Sequence, residues 1–377
     1  MKYYIIAGEA SGDLHGSNLM REIRKLDPAA HMRCWGGDKM QAAGGELVKH
    51  YRDLAFMGFT EVLMNLRTIF RNLRFCKEDI LQYRPDTLIL IDYPGFNLRI
   101  AKWAHEQGIR VIFYISPQVW AWKEGRVRMM RECIDRMLVI LPFEKEYFRN
   151  KWNWDVEYVG HPLVQVIEEA QQKFRNGEMA PAITTTKKVI ALLPGSRKQE
   201  ILKKLPVMLE VSRRFPDYQF VVAKAPGLEE SFYDALLKPF KNVTYVAGQT
   251  YALLQQSSAA LVTSGTATLE TALFGVPEVV CYKGSPISYQ IAKRVIRVKY
   301  ISLVNLIMDK LVVKELIQHE LTVDNLGKEL QLLLSDEGRR ESLRRDYEAL
   351  KQVLSQGGNA SANAARSMVQ FLTSSAT

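Results

Sequence analysis

Residues 2–16 read KYYIIAGEASGDLHG, and this stretch decides the fold. The run Lys2–Ala7 is short and almost wholly apolar, which is typical of a strand buried on both faces of a parallel sheet. A loop with two glycines follows, and Leu14–Leu26 then shows helical spacing of its apolar residues. A strand that passes through such a loop into a helix predicts the first half of a βαβ unit.

The same alternation recurs along the chain and restarts after the polar segment Glu178–Lys188. Strand-like runs separated by helical stretches occur at Thr87–Ile91, Arg110–Ile115, Met137–Leu141, Val189–Leu193, Gln219–Ala223, Val243–Val246, Ala259–Val262 and Glu278–Cys281. The predicted class is therefore α/β, with two doubly wound Rossmann-like domains facing a cleft and with C-terminal helices. Ligands of such folds bind beyond the carboxyl ends of the strands.

Three segments follow from this pattern. Residues 1–170 are predicted to form the first Rossmann-like domain, and residues 185–345 the second. Strand signals fade after Asp309, and residues 346–377 are predicted to be helical. These last helices either pack back on the first domain or exchange between the subunits of a homo-oligomer.

Composition excludes several classes of protein. Of the 377 residues, 47% are hydrophobic and 24% charged, which is typical of a globular protein and not of a disordered or multi-span membrane protein. No signal peptide is expected, so we predict a cytoplasmic protein. The net charge of +10 favours anionic partners, yet no nucleic-acid-binding motif accompanies it. The cysteines and histidines lack metal-ligand spacing, so the sequence predicts no metal and no cofactor.

Acidic residues follow two predicted strands of the first domain. Glu9, Ser11 and Asp13 lie in the loop after the first strand, where glycines allow a ligand to approach the backbone closely. Asp92 ends the strand Thr87–Ile91 and has the position of a general base. The alternative is that Ser11 or Asp13 only caps a helix and that Asp92 only forms a turn before Pro94.

Two loops of the second domain have the composition of an anion site. Arg197 follows a glycine turn, where its guanidinium could bind a phosphate. Ser264, Gly265 and Thr266 open a helix, and Glu270 lies one turn further on, where a carboxylate can accept hydrogen bonds from two ribose hydroxyls. The alternatives are a solvated arginine and a capping box that involves Glu270.

Ala55–Tyr83 combines apolar and basic residues. An apolar face lies beside a stripe of arginines, which indicates either an interfacial helix on an anionic membrane or a site for acyl chains. An ordinary amphipathic helix packed on the sheet is the alternative. The apolar patch consists of Val62, Leu63, Leu66, Ile69 and Phe70.

Eight motifs in order along the chain resemble those of the lipid-A-disaccharide synthase family. They are GEASGD (8–13), IDYPGFN (91–97), SPQVWAW (116–122), LPFE (141–144), VGHP (159–162), LLPGSR (192–197), SGTATLE (264–270) and YISLVNL (300–306). The resemblance covers nearly the whole chain. Gly95 departs from the family pattern, which has a second acid there, so Asp92 is the only acid of its motif.

The resemblance implies a glycosyltransferase of the GT-B fold that is peripheral on the inner membrane of Gram-negative bacteria. Its implied partners are a UDP-2,3-diacylglucosamine donor and a 2,3-diacylglucosamine 1-phosphate acceptor, which give a β-1,6 disaccharide 1-phosphate and UDP with inversion. It further implies that Asp92 is the base and that Glu9, Ser11 and Asp13 lie near the reacting sugars. Arg197, Ser264, Gly265, Thr266 and Glu270 would bind the donor, together with Asn305.

Two other functions fit parts of the pattern. A UDP-sugar 2-epimerase of GT-B fold would share the UDP site, but it has no use for the apolar segment Ala55–Phe75. A non-enzymatic lipid-carrier module would use that segment, but it does not need Asp92, Arg197 and Glu270 at three strand ends.

Overall fold

The computed structural model describes residues 1–54, 66–225, 227–285 and 298–374. They divide into two compact units, which are Met1–Pro162 with Leu354–Thr377, and Leu163–Val353. Each unit contains one sheet of parallel strands with helices in its connections, which confirms the predicted fold class.

The first unit has a seven-stranded sheet in the order β3-β2-β1-β4-β5-β6-β7. Its strands are β1 Lys2–Ala7, β2 His31–Gly36, β3 Glu46–His50, β4 Thr87–Ile91, β5 Val111–Tyr114, β6 Arg136–Val139 and β7 Glu157–Tyr158. Its helices up to the unit boundary are α1 Ala10–Leu26, α2 Asp38–Ala42, α3 Leu66–Tyr83, α4 Pro94–Glu106, α5 Arg126–Cys133 and α6 Pro142–Trp152, with a 3₁₀ turn at Tyr51–Leu54.

The second unit has a six-stranded sheet in the order β10-β9-β8-β11-β12-β13. Its strands are β8 Val189–Leu193, β9 Gln219–Lys224, β10 Val243–Ala247, β11 Ser257–Thr263, β12 Glu278–Tyr282 and β13 Lys314–Ile317. The remaining helices of the chain are α7 Pro162–Arg175, α8 Lys198–Ser212, α9 Glu230–Leu237, α10 Thr250–Gln256, α11 Thr266–Leu273, α12 Leu303–Met308, α13 Val323–Ser335, α14 Glu337–Ser355 and α15 Ala360–Ser374, with a 3₁₀ turn at Gln318–Glu320.

Strand β1 shows why its sequence is a continuous apolar run. Tyr4 and Ile6 belong to one hydrophobic cluster, whereas Tyr3 and Ile5 belong to another. Successive side chains of a strand point to opposite faces, so a strand with a core on each face needs apolar residues throughout.

Four strands were not predicted, namely β2, β3, β7 and β13. Three of them, β3, β7 and β13, lie at sheet edges, where one side of the strand has no neighbour and polar residues are tolerated. The strand β13 at Lys314–Ile317 also shows that the sheet continues beyond Asp309, where we expected strands to have ended.

The last helix, α15, packs against α1 of the first unit. Ala364, Ala365 and Met368 are fully buried in the cluster that contains Tyr3 and Ile5. None of the described helices has an apolar stretch long enough to cross a bilayer.

We expect Met368→Ala to lower the free energy of unfolding of the first unit by about 2–5 kcal/mol, because it leaves a cavity under α15. All six tryptophans lie between Trp35 and Trp154, so tryptophan fluorescence during urea unfolding reports on this unit alone. The exposed neighbour Gln370→Ala is the control and should change stability by less than about 0.5 kcal/mol. Equal stabilities of the two variants would contradict the packing of α15.

Candidate active site

Two carboxyl groups meet at the carboxyl edge of the first sheet. Ala7 of β1 pairs with Ile91 of β4, so Glu9 and Asp92 follow neighbouring strands at the same level. Burial raises the pKa of Asp92 to about 6, the negative charge of Glu9 adds to the rise, and the Tyr93 backbone N–H opposes it. Asp92 is therefore ionised at neutral pH and only weakly acidic, as a general base should be.

An unusual backbone turn sets the position of Asp92. Asp92 and Tyr93 have φ angles of 46° and 49°, in the left-handed region that non-glycine residues rarely adopt. The buried Asn97 amide donates hydrogen bonds to the carbonyls of Asp92 at 2.7 Å and Ile91 at 3.2 Å. Gly8 makes room for the turn, because a Cβ there would lie 2.3 Å from the Tyr93 ring. Asn97 therefore positions Asp92. Asn97 is the last residue of the motif IDYPGFN, but the sequence alone did not indicate this role.

Ser11 and Asp13 have different surroundings. Ser11 is exposed in the first turn of α1, whereas Asp13 is buried. The Asp13 carboxylate accepts hydrogen bonds from the backbone amides of Gly37 at 2.8 Å, Met40 at 3.0 Å and Lys39 at 3.2 Å. These bonds hold the β2–α2 connection. Because both oxygens of the Asp13 carboxylate are bonded to backbone amides, Asp13 has a structural role and is not grouped with Asp92 and Glu9.

Glu144 is a third carboxyl group at this edge. It lies in the first turn of α6, and its oxygens accept hydrogen bonds from the Leu141 amide at 3.0 Å and from Trp120 Nε1 at 3.2 Å. Burial raises its pKa to about 8, and the charge of Asp92 contributes to the rise, so Glu144 is largely protonated at neutral pH. The motif LPFE contained it, but sequence reasoning gave it no role.

A pocket of about 350 Å³ lies at the carboxyl ends of β8, β9 and β11 in the second unit. It brings together four of the predicted donor residues, Ser264, Gly265, Thr266 and Glu270, with Gly195 of the glycine turn, whereas Arg197 is not among the residues that line it. Gly265 caps α11 without any side-chain hydrogen bond to the helix amides, so no capping box satisfies them. Amides at a helix start without a side-chain cap favour an anion.

Glu270 is held by a neighbour that sequence reasoning missed. The Tyr251 hydroxyl donates a 2.8 Å hydrogen bond to Glu270 Oε1. Burial raises the pKa of Glu270, and the bond from Tyr251 opposes that rise. Tyr251 thereby fixes one oxygen of the Glu270 carboxylate, and Glu270 forms part of the pocket wall.

Two cations lie at or beside this pocket. Arg197 precedes α8 with its side chain 60% exposed, and its Nη1 is 3.6 Å from Glu200 Oε1 of the pocket wall. Lys224, at the end of β9, lines the pocket and pairs with Glu230 at 3.5 Å. Thr263 also lines the pocket, and its buried hydroxyl has no hydrogen-bond partner among the described residues. Lys224 and Thr263 were not predicted as site residues.

Asn305 is not among the residues that line the pocket. Its Oδ1 accepts hydrogen bonds from the backbone amides of Val312 at 2.8 Å and Val313 at 2.9 Å. Its Nδ2 donates to the Val313 carbonyl and to Glu315 Oε1, both at 2.9 Å. The structure thus uses this buried amide to hold the loop before β13.

The apolar patch lies only partly within the described residues. Val62, Leu63 and the side chain of Leu66 are outside them. Ile69 is half-buried against the core of the first unit, whereas Phe70 is 63% exposed. Within the described ranges, no three His, Cys, Asp or Glu side chains are grouped as metal ligands would be.

Comparisons with known proteins identify the family. The family model described as Lipid-A-disaccharide synthetase matches residues 3–369. A lipid-A-disaccharide synthase of Geobacter sulfurreducens is 39% identical over 360 residues, which cover 94% of this chain and 93% of that protein.

Solved structures show the same fold. The UDP-GlcNAc 2-epimerase from Neisseria meningitidis bound to UDP-GlcNAc superposes with a TM-score of 0.68 at 14% identity, over 99% of this chain and 100% of that one. The glycotransferase of kitacinnamycin gives 0.66 at 15% identity, over 98% and 99%. Identities this low show the shared GT-B fold alone, so the epimerase alternative gains no support from them.

The match to the family model and the 39% identity to a full-length relative show that the chain belongs to the lipid-A-disaccharide synthase family, which consists of hexosyltransferases.

Proposed function

We propose that this protein joins UDP-2,3-diacylglucosamine to 2,3-diacylglucosamine 1-phosphate and forms the β-1,6 lipid A disaccharide 1-phosphate and UDP. The observation that carries the proposal is the carboxylate of Asp92 at the end of β4, with its pKa raised to about 6, in a chain of this family. A donor α-linked to UDP that gives a β product requires one displacement with inversion, and such a step needs one base.

Asp92 is the proposed base. It removes the proton of the acceptor 6-hydroxyl as that oxygen attacks the anomeric carbon of the donor. The charge of Glu9 makes Asp92 a stronger base, because it raises the pKa of Asp92. The exposed Ser11 is available to the sugar hydroxyls, whereas Asp13 acts as a positioning residue that holds the β2–α2 connection.

The pocket of the second unit is the proposed donor site. The diphosphate binds the amides at the start of α11 and the side chains of Thr266 and Arg197, with Lys224 as a further cation. The Ser264 hydroxyl donates a 2.8 Å hydrogen bond to the Ile301 carbonyl and so holds the turn that carries these amides. Glu270 accepts hydrogen bonds from the ribose hydroxyls. These groups also stabilise the negative charge that develops on UDP as it leaves.

We also propose that α3 brings the protein to the inner membrane surface. Phe70 and Phe75 are 63% and 43% exposed on this helix. Arg67, Arg71 and Arg74 are exposed on the same helix and suit anionic lipid head groups.

We expect Asp92→Asn to lower kcat by about 10²–10⁴-fold and to leave the dissociation constant of UDP unchanged. The assay incubates the purified protein with both diacylated substrates in EDTA and measures the tetraacyl disaccharide phosphate by mass spectrometry. Asp155→Asn, which alters an exposed acid of the same unit, is the matched control. Turnover of Asp92→Asn within about tenfold of wild type would show that Asp92 is not the base.

The pH profile gives an independent test. Because Asp92 must be ionised, kcat/KM should rise about tenfold per pH unit below its pKa of about 6 and level off above it. Glu9→Gln removes a negative charge that raises the pKa of Asp92, so the acid limb should move to lower pH. A limb at the same pH in both proteins would exclude the proposed influence of Glu9.

Glu270→Gln should weaken UDP binding by roughly tenfold to a hundredfold, since hydrogen bonds to a charged carboxylate contribute about 1.5–3 kcal/mol. Calorimetry with UDP and with its 2′,3′-dideoxy analogue separates this role from a change of fold. The analogue should bind both proteins equally, because it lacks the hydroxyls. A Glu270→Gln protein that binds UDP as tightly as wild type would refute the ribose contact.

A further inference from the structure

A second cavity, of about 440 Å³, lies in the first unit beside α3, α4 and α5. This volume lies within the range of pockets for small organic ligands, about 300–1,000 Å³. Its apolar walls come from the 3₁₀ turn and from α3, α4 and α5, and the side chains are Leu54, Ile69, Tyr93, Phe96, Leu98 and Met129. An apolar cavity of this kind suits a hydrocarbon chain.

Three cations line the same cavity, which are Arg99 and Lys102 of α4 and Arg126 at the start of α5. The cavity has no acidic residue among the described residues that line it. Arg99 and Lys102 are exposed and Arg126 is half-buried, and within the described part of the chain none of the three cations forms an ion pair. Their charges are therefore uncompensated, and an amphiphile with an anionic head group would complement both parts of the cavity.

The cavity begins beside the proposed base. Tyr93, Pro94 and Gly95 directly follow Asp92 and all three line it. Adjacent Cα atoms are about 3.8 Å apart, so the wall starts within one residue of the carboxylate. The Tyr93 ring also packs against Phe96, with ring centroids 5.8 Å apart and a 30° tilt, which gives this wall a fixed shape. Asp92 itself does not line the cavity, so a sugar with its hydroxyl at Asp92 would reach the cavity with a substituent that passes the Tyr93 wall.

We propose that this cavity binds an acyl chain of the acceptor and that Arg99, Lys102 and Arg126 bind its 1-phosphate. The inference rests on the proposed function and assigns the acceptor subsite within it. The acceptor has its acyl chains, its phosphate and the reacting hydroxyl on a single sugar ring. Proximity to Asp92 favours this occupant over a phospholipid of the membrane, which has no group for the base to act on.

The charged part is tested with the double variant Arg99→Gln/Lys102→Gln and with Arg126→Gln. The KM of the acceptor should rise about tenfold to a hundredfold, as expected for charge-assisted hydrogen bonds, whereas the KM of the donor stays unchanged. With diacylglucosamine that lacks the 1-phosphate, variants and wild type should have the same KM. Arg128→Gln is the matched control, because Arg128 is exposed on α5 and does not line the cavity.

The apolar part is tested with Met129→Trp, which fills the cavity, in competition assays with acceptors of increasing acyl length. The variant should prefer shorter chains than wild type, and circular dichroism checks that it is folded. Gly95→Leu serves as a second filling variant, because a Cβ at Gly95 meets no other atom within 4 Å. An unchanged length preference in folded variants would overturn the acyl assignment.

Two further outcomes are distinguishable. If the charge variants weaken binding to anionic phospholipid vesicles but leave the acceptor KM in detergent micelles unchanged, the cations serve the membrane surface and the proposal is wrong. If wild type forms no disaccharide, the proposed function itself fails, and this is seen before any variant is compared.

Discussion

The parallel pairing of the strands is the constraint on which the rest of the structure depends. Because all strands of a sheet run in one direction, their carboxyl ends and the loops that follow them collect along one edge. Because both faces of the sheet are buried, the strands themselves consist mainly of apolar residues, and the polar side chains lie in the loops at that edge. Asp92, Glu9 and Glu144 lie there in the first unit, and Glu270 and the glycine turns lie there in the second.

The turn after β4 shapes both the surroundings of Asp92 and the neighbouring cavity of the first unit. The amide of Asn97 holds two carbonyls at the strand end, so that two successive residues keep a left-handed backbone. This conformation costs free energy, which the surrounding hydrogen bonds and the fit of the Tyr93 ring against Gly8 must offset. The same turn presents the Asp92 carboxylate at the sheet edge and starts the apolar wall of the neighbouring cavity.

The sequence predicted the fold class and the central strands because their apolar runs are a local property of the chain. The polar edge strands lack that signal, and β3 and β13 were missed for this reason. The places of two proposed site residues in the fold could also be predicted, since Asp92 follows β4 and Glu270 lies in the helix after β11. The hydrogen-bond partners could not be predicted. The amides bonded to the Asp13 carboxylate are 24–27 residues away, and those bonded to Asn305 are seven and eight residues on, in the irregular loop after its helix. The partner of Glu270 is 19 residues from it, and no spacing rule connects the two.

The discontinuous first unit has a consequence for the order of synthesis. Its hydrophobic cluster includes Met368 and its neighbours on α15, so the unit cannot complete that core until residues 360–374 have left the ribosome. The second unit is a single continuous segment, Leu163–Val353, and has all its strands available earlier. Domains generally fold as units during translation. The second unit would therefore mature first, while the first unit waits, with the face of α1 that α15 later covers exposed to chaperones.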